Sequence, residues 1–542
     1  MKKFKYSRRE LLKQMGLFSL GLGLSTNRLI GSGLSATEIL GDEQDITYNH
    51  YFGDVHNHNA IGYAKGSLRR SFEIAENQRL DFYALTPHAH WHDIEKYEGA
   101  IEEKWYHGFE VTKDRWPDVL SIVREFHKPG QFITFPAYEW HSSSMGDYHL
   151  LFPNENPVLY LANSLSELQD FVRRSGAIMI PHHPANIQGR RGANFEMRDP
   201  KLAPLLEVYS EWGNAVSDRG PYPYIRHSPG GRWTQNTLQY RLSQGDRFGI
   251  IASTDDHLGK PGAYSQGLAV VLAKDLSRES IFDAFWNRRT YAVTGDRILL
   301  DVTLNGKMMG QEIDFIRERK IAVDVTGWDQ VNMVEVVKNN RVIYRDFPVD
   351  RPNSQESWNK PVIIWFEYGW GPWADLNMAT VTDWDIQFDL ENGILESVQP
   401  AFRAGPFEEL HRDQMLDQHT QGIRLKSFTA RRQEFEDQAQ KGIALKISGG
   451  PETKLGIKTT SPTEKSWEFT LGELCESNQV LLTGRFPKET ALLHRPVFEE
   501  NYKTKFEFVD QDEGHKTTWY YVRVTQANRQ FAWSSPIWVD AG

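Results

Sequence analysis

Two histidines separated by one residue occur in the stretch GDVHNHNA, at residues 53–60. Alternate side chains of an extended chain leave the same face, so Asp54, His56 and His58 would all point in one direction. Such a row of polar side chains is either a solvated strand edge or part of a metal site. The choice between them depends on what other residues the chain brings to the same place.

Further histidines and acidic residues recur in short segments up to residue 257. These segments are LTPHAHW, PAYEWH, GDYHLL, IPHHP, LEVYSEWG and ASTDDH. Together with GDVHNH they hold nine of the 18 histidines in the chain. Burying so many imidazoles and carboxylates without an ion would cost desolvation energy that neutral packing does not return. The set therefore predicts bound cations, and its nitrogen and oxygen donors favour Zn²⁺ or Mn²⁺, with Fe²⁺ also suitable, over Ca²⁺ or Mg²⁺.

Residues 45–295 alternate strand-like runs with helix-like segments, the pattern of a β/α layered or barrel domain. The predicted strands are 51–58, 81–86, 131–138, 177–181, 205–209 and 248–253, and the predicted helices are 67–80, 164–175 and 277–289. In β/α barrels the carboxyl ends of successive strands form one active-site bowl, and the histidine segments fall at such ends. Because His182 and His183 would point to opposite faces of a strand, at most one of them is expected in the site.

The motif order over residues 50–260 resembles the PHP (polymerase and histidinol phosphatase) superfamily of metal-dependent phosphoesterases. The matching motifs are H-x-H at His56 and His58, T-x-H at Thr86 and His88, Glu139 followed by H-L-L at His149, H-P at His183, and S/T-D-x-H at Asp255 and His257. The resemblance implies a distorted (β/α) barrel of PHP type. It also implies the metal ligands His56, His58, His88, Glu139, His149, His183, Asp255 and His257.

Two departures from the family pattern bear on the number of ions. Pro87 stands where the family usually has an acid, and the stretch NAIGYAKGSL lacks the acid that often follows the first motif. These losses favour two divalent ions, with three as the alternative. The expected first ion is held by His56, His58, Glu139 and Asp255, and the second by His88, His149 and a shared Glu139, with His183 and His257 completing the shells. Asp54 and Asp256 are expected to orient imidazoles.

By this resemblance the protein is expected to be a phosphoesterase, in which two ions bind phosphoryl oxygens and activate a bridging water as hydroxide. In the stretch NIQGRRGANF, Arg190 or Arg191 is a candidate clamp for an anionic substrate, and a solvated loop charge is the alternative. Arg191 is also counted among the expected catalytic residues. Glu211 and His90 are candidate general acids for the leaving group, with a surface position as the alternative for His90.

Two other functions remain open at this point. The same ions could hydrolyse a sulfate ester, an amide or a lactone, because activated hydroxide does not itself select phosphorus. Alternatively, the protein binds a glycan and its metal site is structural, with every coordination position filled. The expected substrate is a small-molecule or glycan-linked ester.

After residue 295 the sequence changes to alternating strands broken by Asn-Gly and Asn-Asn turns, as in ILLDVTLNGKMMG. We expect residues 296–542 to form a β-sandwich domain with an irregular insertion near 350–440. Together the two regions resemble a secreted PHP-like subgroup that carries a C-terminal β-sandwich.

Residues 1–36 read as a twin-arginine signal peptide, with Arg8 and Arg9 before a short apolar run and a cleavage position after Ala36. We therefore expect recognition by the twin-arginine export machinery, a periplasmic or secreted protein, and no stable membrane span after cleavage. These residues carry seven Lys or Arg and one acid, so their removal takes the formal charge from −10 to −16. Such an acidic protein is a poor partner for nucleic acid. A sole cysteine, Cys475, excludes an intramolecular disulfide.

Overall fold

The structure is a computed structural model and describes residues 47–94, 100–224, 231–370, 381–405, 407–410, 412–430, 440–486 and 488–542. The predicted signal peptide at 1–36 lies outside these residues. Asn49–Gly542 form one compact unit. In the described part of the chain, no helix combines the length and the apolar character needed to cross a bilayer.

The first half of the described chain mixes short strands with helices. Its strands are β1 Asn49–Asp54, β2 Phe82–Tyr83, β3 His88–Trp91, β4 Ile133–Thr134, β5 Ala137–His141, β6 Tyr148–Leu151, β7 Ile178–Pro181, β8 Leu205–Ser210, β9 Gly213–Asn214, β10 Gly249–Ala252, β11 Leu268–Ala273 and β12 Thr290–Val293. Its helices are α1 Leu68–Asn77, α2 Ala100–Phe126, α3 Leu165–Ser175, α4 Leu238–Ser243 and α5 Arg278–Trp286.

The local sequence explains how α3 begins and ends. The Ser164 hydroxyl accepts a hydrogen bond from the Glu167 amide, as expected of an N-cap residue. The Glu167 carboxylate accepts from the amide of Asn163 rather than that of Ser164, so only one half of the capping box forms. Gly176 ends the helix with φ 69°, a left-handed conformation in which glycine has no steric penalty.

The strand pairing in this half falls into three sheets. One follows the order β3-β5-β6-β7, one the order β10-β8-β9, and β1, β2, β4, β11 and β12 belong to a larger eleven-stranded sheet. Pairing is parallel between β1 and β2, β2 and β4, β3 and β5, and β8 and β10. The mixed α/β class is confirmed, and the closed barrel stays a prediction.

The second half is rich in sheet. Its strands are β13 Leu299–Leu304, β14 Lys307–Met308, β15 Glu312–Ile313, β16 Glu318–Thr326, β17 Val331–Lys338, β18 Arg341–Asp346, β19 Val362–Tyr368, β20 Val381–Ala401, β21 Gln414–His419, β22 Gly422–Ala430, β23 Lys441–Ser461, β24 Lys465–Thr470, β25 Gln479–Leu482, β26 Thr490–Leu493, β27 Lys503–Gln511, β28 Thr518–Gln526, β29 Phe531–Ser534 and β30 Ile537–Val539. Two short helices, α6 Leu471–Glu476 and α7 Glu499–Tyr502, also lie here.

The expectation of irregular structure near 350–440 is wrong for the described residues, because β19, β20, β21 and β22 lie there. In β20 the side chains of Trp384, Ile386, Phe388 and Leu390 are buried in one hydrophobic core. The residues that alternate with them are acids and an amide, which have low strand propensity and hide the strand in the sequence.

The two halves share a sheet. Strand β12 pairs antiparallel with β29, so strands from both sides of residue 295 belong to the same eleven-stranded sheet. A separate core contains Val55, Ile180, Leu205 and Ile251, which are all buried and precede metal-ligand candidates in the sequence by one to four residues. The domain boundary near 295 stays a prediction.

Candidate metal centre

Strand ends supply the polar side chains that the sequence singles out. His56 and His58 follow β1, His88 begins β3, Glu139 and His141 lie on β5, His149 lies on β6, His182 and His183 follow β7, Glu207 lies on β8, and Asp255 and His257 follow β10. Nearly all of these side chains are buried. The structure thus brings together the eight predicted metal ligands, from His56 to His257, in one region.

Backbone pairing decides which of these side chains are neighbours. Glu139 stands opposite His88 in the parallel pair β3–β5 and opposite His149 in the antiparallel pair β5–β6. The segment after β1 runs beside the segment after β10, because the Asp255 amide donates to the His56 carbonyl at 2.8 Å. Both pairings place imidazoles beside carboxylates.

The spacing between ring nitrogens matches ligands that share an ion. The Nε2 atoms of His56 and His58 are 3.2 Å apart, and His58 Nε2 is 2.9 Å from Asp255 Oδ1. The Nε2 atoms of His88 and His257 are also 3.2 Å apart. Two nitrogens bound tetrahedrally to one Zn²⁺ at about 2.0–2.1 Å lie roughly 3.3 Å from each other.

Glu139 lies at the centre of the group. Its Oε1 is 2.7 Å from His182 Nε2 and 3.3 Å from His141 Nδ1. Its Oε2 is 3.5 Å from the Nε2 atoms of both His58 and His88. A carboxylate placed between two sets of imidazoles in this way can bridge two ions.

The other nitrogen of several rings is held by an acceptor, which fixes the ring orientation. His56 Nδ1 lies 3.1 Å from Glu207 Oε2, and His149 Nδ1 lies 3.0 Å from the Val55 carbonyl. His257 Nδ1 lies 2.9 Å from the Asp255 carbonyl. These contacts turn the Nε2 atoms of His56 and His257 toward the cluster.

The residues present fit a bound cation. Buried atoms such as Glu139 Oε2, His141 Nε2 and His149 Nε2 have no hydrogen-bond partner within the described part of the chain. Unpaired buried polar atoms are costly unless something binds them. Several sets of three or four ligand atoms lie close enough to share an ion: His58, His88 and His257; His56, His58 and Glu139; His56, His182 and Asp255; His56, His149 and Glu207; and Glu139, Asp147, His182 and His183.

The electrostatics of the cluster also favour cation binding. Burial, with the neighbouring histidines, holds the pKa values of His56, His58 and His88 well below the usual range. Burial and nearby carboxylates raise the pKa of Glu139 well above its usual range. Metal ligation needs neutral imidazole and ionised carboxylate. A bound divalent ion would therefore stabilise the neutral form of the histidines and the ionised form of Glu139.

Both adjacent histidines after β7 lie in the cluster, which corrects the expectation that at most one would. His183 Nε2 is 3.5 Å from Asp147 Oδ2, while His182 contacts Glu139. Strand β7 ends at Pro181, and His183 adopts φ 29°. The alternation of side chains in a strand therefore does not apply here. Asp255 also has a positive φ, of 51°, and such strained conformations concentrate at functional sites.

Asp54 and Asp256 do not orient imidazoles as expected. Asp54 accepts hydrogen bonds from the amides of Thr254 and Gly262 and ties those segments together. Asp256 accepts from the amides of Leu258 and Lys260. Both carboxylates support the loop after β10 rather than the rings.

The predicted catalytic and substrate-binding residues divide into two groups. Glu211 Oε1 is 3.6 Å from His257 Nδ1, and Arg191 donates to Asp147 at 2.6 Å, so both adjoin the cluster. The described contacts of His90 are with Asn163 and His92, outside the cluster. Arg190 is exposed. The structure therefore does not bring His90 and Arg190 to the site.

His141, His182 and Glu207 belong to the segments that the sequence singled out but were not predicted as ligands, and Asp147 was not predicted in any role. Glu207 lies in the segment LEVYSEWG, where an acid in the middle of an apolar strand was a usable signal. Asp147 offers no such signal, because it lies between strands and only the fold brings it to His183 and Arg191.

Comparison with known proteins gives short or distant matches. A family model described as a protein of unknown function, DUF3604, matches residues 260–312, which follow the last residue of the cluster. An uncharacterized protein of Chlamydia pneumoniae is 25% identical over 262 residues, which are 44% of this chain and 42% of that protein. An uncharacterized protein of Chlamydia trachomatis is 23% identical over 268 residues, 44% of this chain and 43% of that protein. The chain thus spans less than half the length of these relatives.

One solved structure also resembles the chain. It is a two-domain protein from Bacteroides vulgatus that contains a predicted PHP-like metal-dependent phosphoesterase. The two are 11% identical with a TM-score of 0.29, and the match covers 81% of this chain and 100% of the other.

Proposed function

We propose that the protein is a metal-dependent hydrolase of the PHP type and that phosphoric esters are its substrate class. The observation that carries the proposal is the buried convergence of imidazoles and carboxylates at ligand spacing, with His56 and His58 facing each other at 3.2 Å. Two divalent ions, Zn²⁺ or Mn²⁺, suit the donor set. When bound, such ions polarise the oxygens of an ester and lower the pKa of a water molecule.

Particular residues would hold the ions. His56, His58 and Asp255 would serve one ion, and His88 and His257 the other, with Glu139 between them. His182, His183 and Asp147 form a further candidate group beside Glu139. Glu207 would hold the ring of His56, because its carboxylate lies 3.1 Å from Nδ1.

Two residues at the edge of the cluster would act on the substrate. The Arg191 side chain is 18% exposed and is held by Asp147, so its guanidinium is positioned beside the ligands while part of it stays accessible. A fixed cation there favours an anionic ester over a neutral one. Glu211 lies beside His257 and is partly exposed, so its carboxyl group can pass a proton to a leaving group.

A substrate panel with purified, metal-loaded protein tests the proposal. We expect hydrolysis of a nitrophenyl phosphate monoester or diester, loss of turnover with a chelator, and recovery with Mn²⁺ or Zn²⁺. Turnover confined to a sulfate ester, an amide or a lactone would show that the substrates are not phosphoric esters. Full metal occupancy with no turnover on any of these compounds would reject the hydrolase in favour of a structural metal site.

A pair of arginine variants tests the substrate class by a second route. Arg191→Gln should lower kcat/KM for a phosphate ester by about tenfold or more, because a charge-assisted contact is worth roughly 1.5–3 kcal/mol. Arg190→Gln is the matched control, since that side chain is exposed and should leave turnover unchanged. Equal effects of the two substitutions would contradict a role for Arg191 in binding the anion.

We also propose export through the twin-arginine pathway, on the basis of Arg8 and Arg9 and the apolar run that follows. Replacing both arginines by lysine should retain the protein in the cytoplasm on cell fractionation. Unchanged export of that variant would exclude this route.

A further inference from the structure

A cavity of about 360 Å³ is lined mainly by the C-terminal half of the chain and shares no residue with the metal-ligand cluster. Its volume falls within the range of small-molecule sites, about 300–1,000 Å³.

Strand β19 builds one wall of this cavity. Its side chains at Val362, Ile364, Phe366 and Tyr368 pack into the hydrophobic core of the eight-stranded sheet. Trp365 and Glu367 alternate with them and therefore lie on the opposite face, where they line the cavity. Small residues such as Ala401 and Gly442 on the neighbouring strands leave the room beside them.

Tyr264 adjoins Trp365, with the two ring centroids 6.1 Å apart, so the rings form one aromatic surface of the cavity. Tyr264 is fixed there by its amide, which donates to the Phe402 carbonyl at 2.9 Å, and by its hydroxyl, which lies 2.9 Å from Asp296. Arg403 stacks over the Tyr264 ring at 5.4 Å. Trp365 is fixed by its indole, which donates to the Trp328 carbonyl at 2.8 Å. The aromatic surfaces are thus held in place before any ligand arrives.

The lining is unusually rich in amide side chains. They belong to Gln330, Asn353, Gln440, Asn478, Asn501 and Asn528. The amides of Asn501 and Asn528 bond within the chain, to the Pro348 carbonyl and to Asp296 respectively. Amides such as those of Gln330, Asn353 and Gln440 offer both donors and acceptors, which matches a hydroxyl group that both donates and accepts. The charged residues are of both signs, because Arg403, Arg495 and Lys441 lie with Asp329 and Glu367, and Lys441 is already paired with Asp413. A neutral ligand with many hydroxyl groups fits this chemistry better than an anion or a cation.

The two carboxylates have defined positions. Glu367 Oε2 is 2.7 Å from His494 Nε2, which fixes its direction. Asp329 Oδ1 accepts from the Gln330 amide at 2.7 Å, which leaves its other oxygen to accept from a ligand. Burial raises the pKa of Asp329 to about 7, so it gains from hydrogen-bond donors that replace water. Carboxylates of this kind accept well from vicinal hydroxyls.

We propose that this cavity binds a carbohydrate, as a single pyranose or the end of a short oligosaccharide, between the Trp365 and Tyr264 rings and the amide-rich wall. Apolar ring faces can cover the C–H face of a sugar while the amides and carboxylates bind its hydroxyls. The site is independent of the proposed hydrolase activity, since none of its lining residues belongs to the metal-ligand cluster.

Saturation-transfer NMR and calorimetry test the proposal on the full chain. The probes are glucose, galactose, N-acetylglucosamine, maltose and cellobiose at up to about 10 mM, a range that detects a Kd as weak as about 1 mM. We expect saturable binding of at least one sugar. Free amino acids and mononucleotides of similar size are the comparison ligands. Binding of those compounds without any sugar, or no binding of any sugar, overturns the proposal.

Isosteric variants locate the site. Asp329→Asn and Glu367→Gln should each weaken sugar binding at least tenfold, whereas Glu391→Gln, an exposed carboxylate of β20, should leave it unchanged. Glu139→Gln in the metal cluster should also leave it unchanged. Sugar binding that survives both cavity substitutions overturns the assignment. Circular dichroism checks folding, and if Asp329→Asn does not fold, Glu367→Gln decides alone.

Discussion

The ring nitrogens Nε2 of His56 and His58 face each other at 3.2 Å in a fully buried position. Two neutral imidazoles can satisfy this arrangement only if the N–H of one donates a hydrogen bond to the ring nitrogen of the other. Asp255 Oδ1 is already 2.9 Å from the same His58 nitrogen, so three ligand-type atoms converge where one proton cannot satisfy all of them. A shared cation satisfies all three.

Removing one of these rings should therefore remove metal. We expect His58→Ala to lose at least one equivalent of bound Zn²⁺ or Mn²⁺, measured by plasma mass spectrometry on purified protein, and to lose turnover with it. His90→Ala is the matched control, because His90 contacts Asn163 outside the cluster. Metal content that stays the same in His58→Ala, or falls equally in His90→Ala, would contradict the assignment.

Glu207 is expected to act through His56 rather than on the substrate. Glu207→Gln should weaken metal affinity by about 10–100-fold, as is typical when the partner of a ligating histidine is changed. Competition with a chromogenic chelator measures this effect. Glu211→Gln is the comparison, since Glu211 contacts His257 at the rim and should change turnover more than affinity. If Glu207→Gln changed mainly turnover and Glu211→Gln mainly metal affinity, the roles assigned to the two residues would be wrong.

The stability of the metal-free protein should depend on His149 below neutral pH. Burial lowers the pKa of His149 to about 3, so the folded state keeps it neutral while the unfolded chain protonates it near pH 6.5. The unfolded state therefore binds more protons between these values, and this contribution to stability falls as the pH falls from 6.5 toward 3. Between pH 6.5 and 5 the loss is about 2 kcal/mol.

Urea unfolding of the wild type and His149→Gln, both with chelator, isolates this effect. The pKa values of the buried carboxylates Glu139 and Glu207 are raised, so their contribution to stability increases as the pH falls. This contribution is common to the wild type and the variant and cancels in the comparison. The wild type should lose stability relative to the variant as the pH falls. A difference in free energy of unfolding that is independent of pH would show that His149 is protonated in the folded state.

A second buried charge cluster, which reaches the cavity through Lys441, should contribute to stability. Asp413 accepts hydrogen bonds from Lys441 Nζ at 3.0 Å and from Lys260, and all three side chains are buried. Although burial alone would raise it, the two lysines hold the pKa of Asp413 at about 2. Burial lowers the pKa of Lys441 to about 7 even beside Asp413, so Asp413→Asn would leave Lys260 as the buried cation without its counter-charge and should cost about 3–5 kcal/mol of unfolding free energy.

Denaturant unfolding of metal-loaded protein measures the effect of Asp413→Asn. Asp389→Asn is the control, because Asp389 and its partner Lys458 are both exposed and lie 3.9 Å apart. That substitution should cost less than about 1 kcal/mol. Similar costs for both substitutions would mean that the buried lysines release their protons in the folded protein.

The sequence indicated strands well where apolar residues were continuous. Each of the six predicted strands of the first half overlaps an observed strand, and β8 ends within one residue of its predicted end. The helix α2 was not predicted, and it contains Pro117, a residue that usually ends helices. Strands β20 and β22 were hidden because charged residues alternate with the buried ones, and burial rather than propensity decides such strands.

The sequence by itself determined the donor chemistry of this protein. One cysteine and histidines at the ends of apolar runs leave imidazole and carboxylate as the available metal ligands. The tertiary structure alone decided which donors meet. Asp147 reaches His183 because a turn between β5 and β6 lies beside the loop after β7, and His182 joins His183 because the strand ends at Pro181. Contacts between segments distant in the chain depend on tertiary packing, so they cannot be predicted from a local pattern of residues.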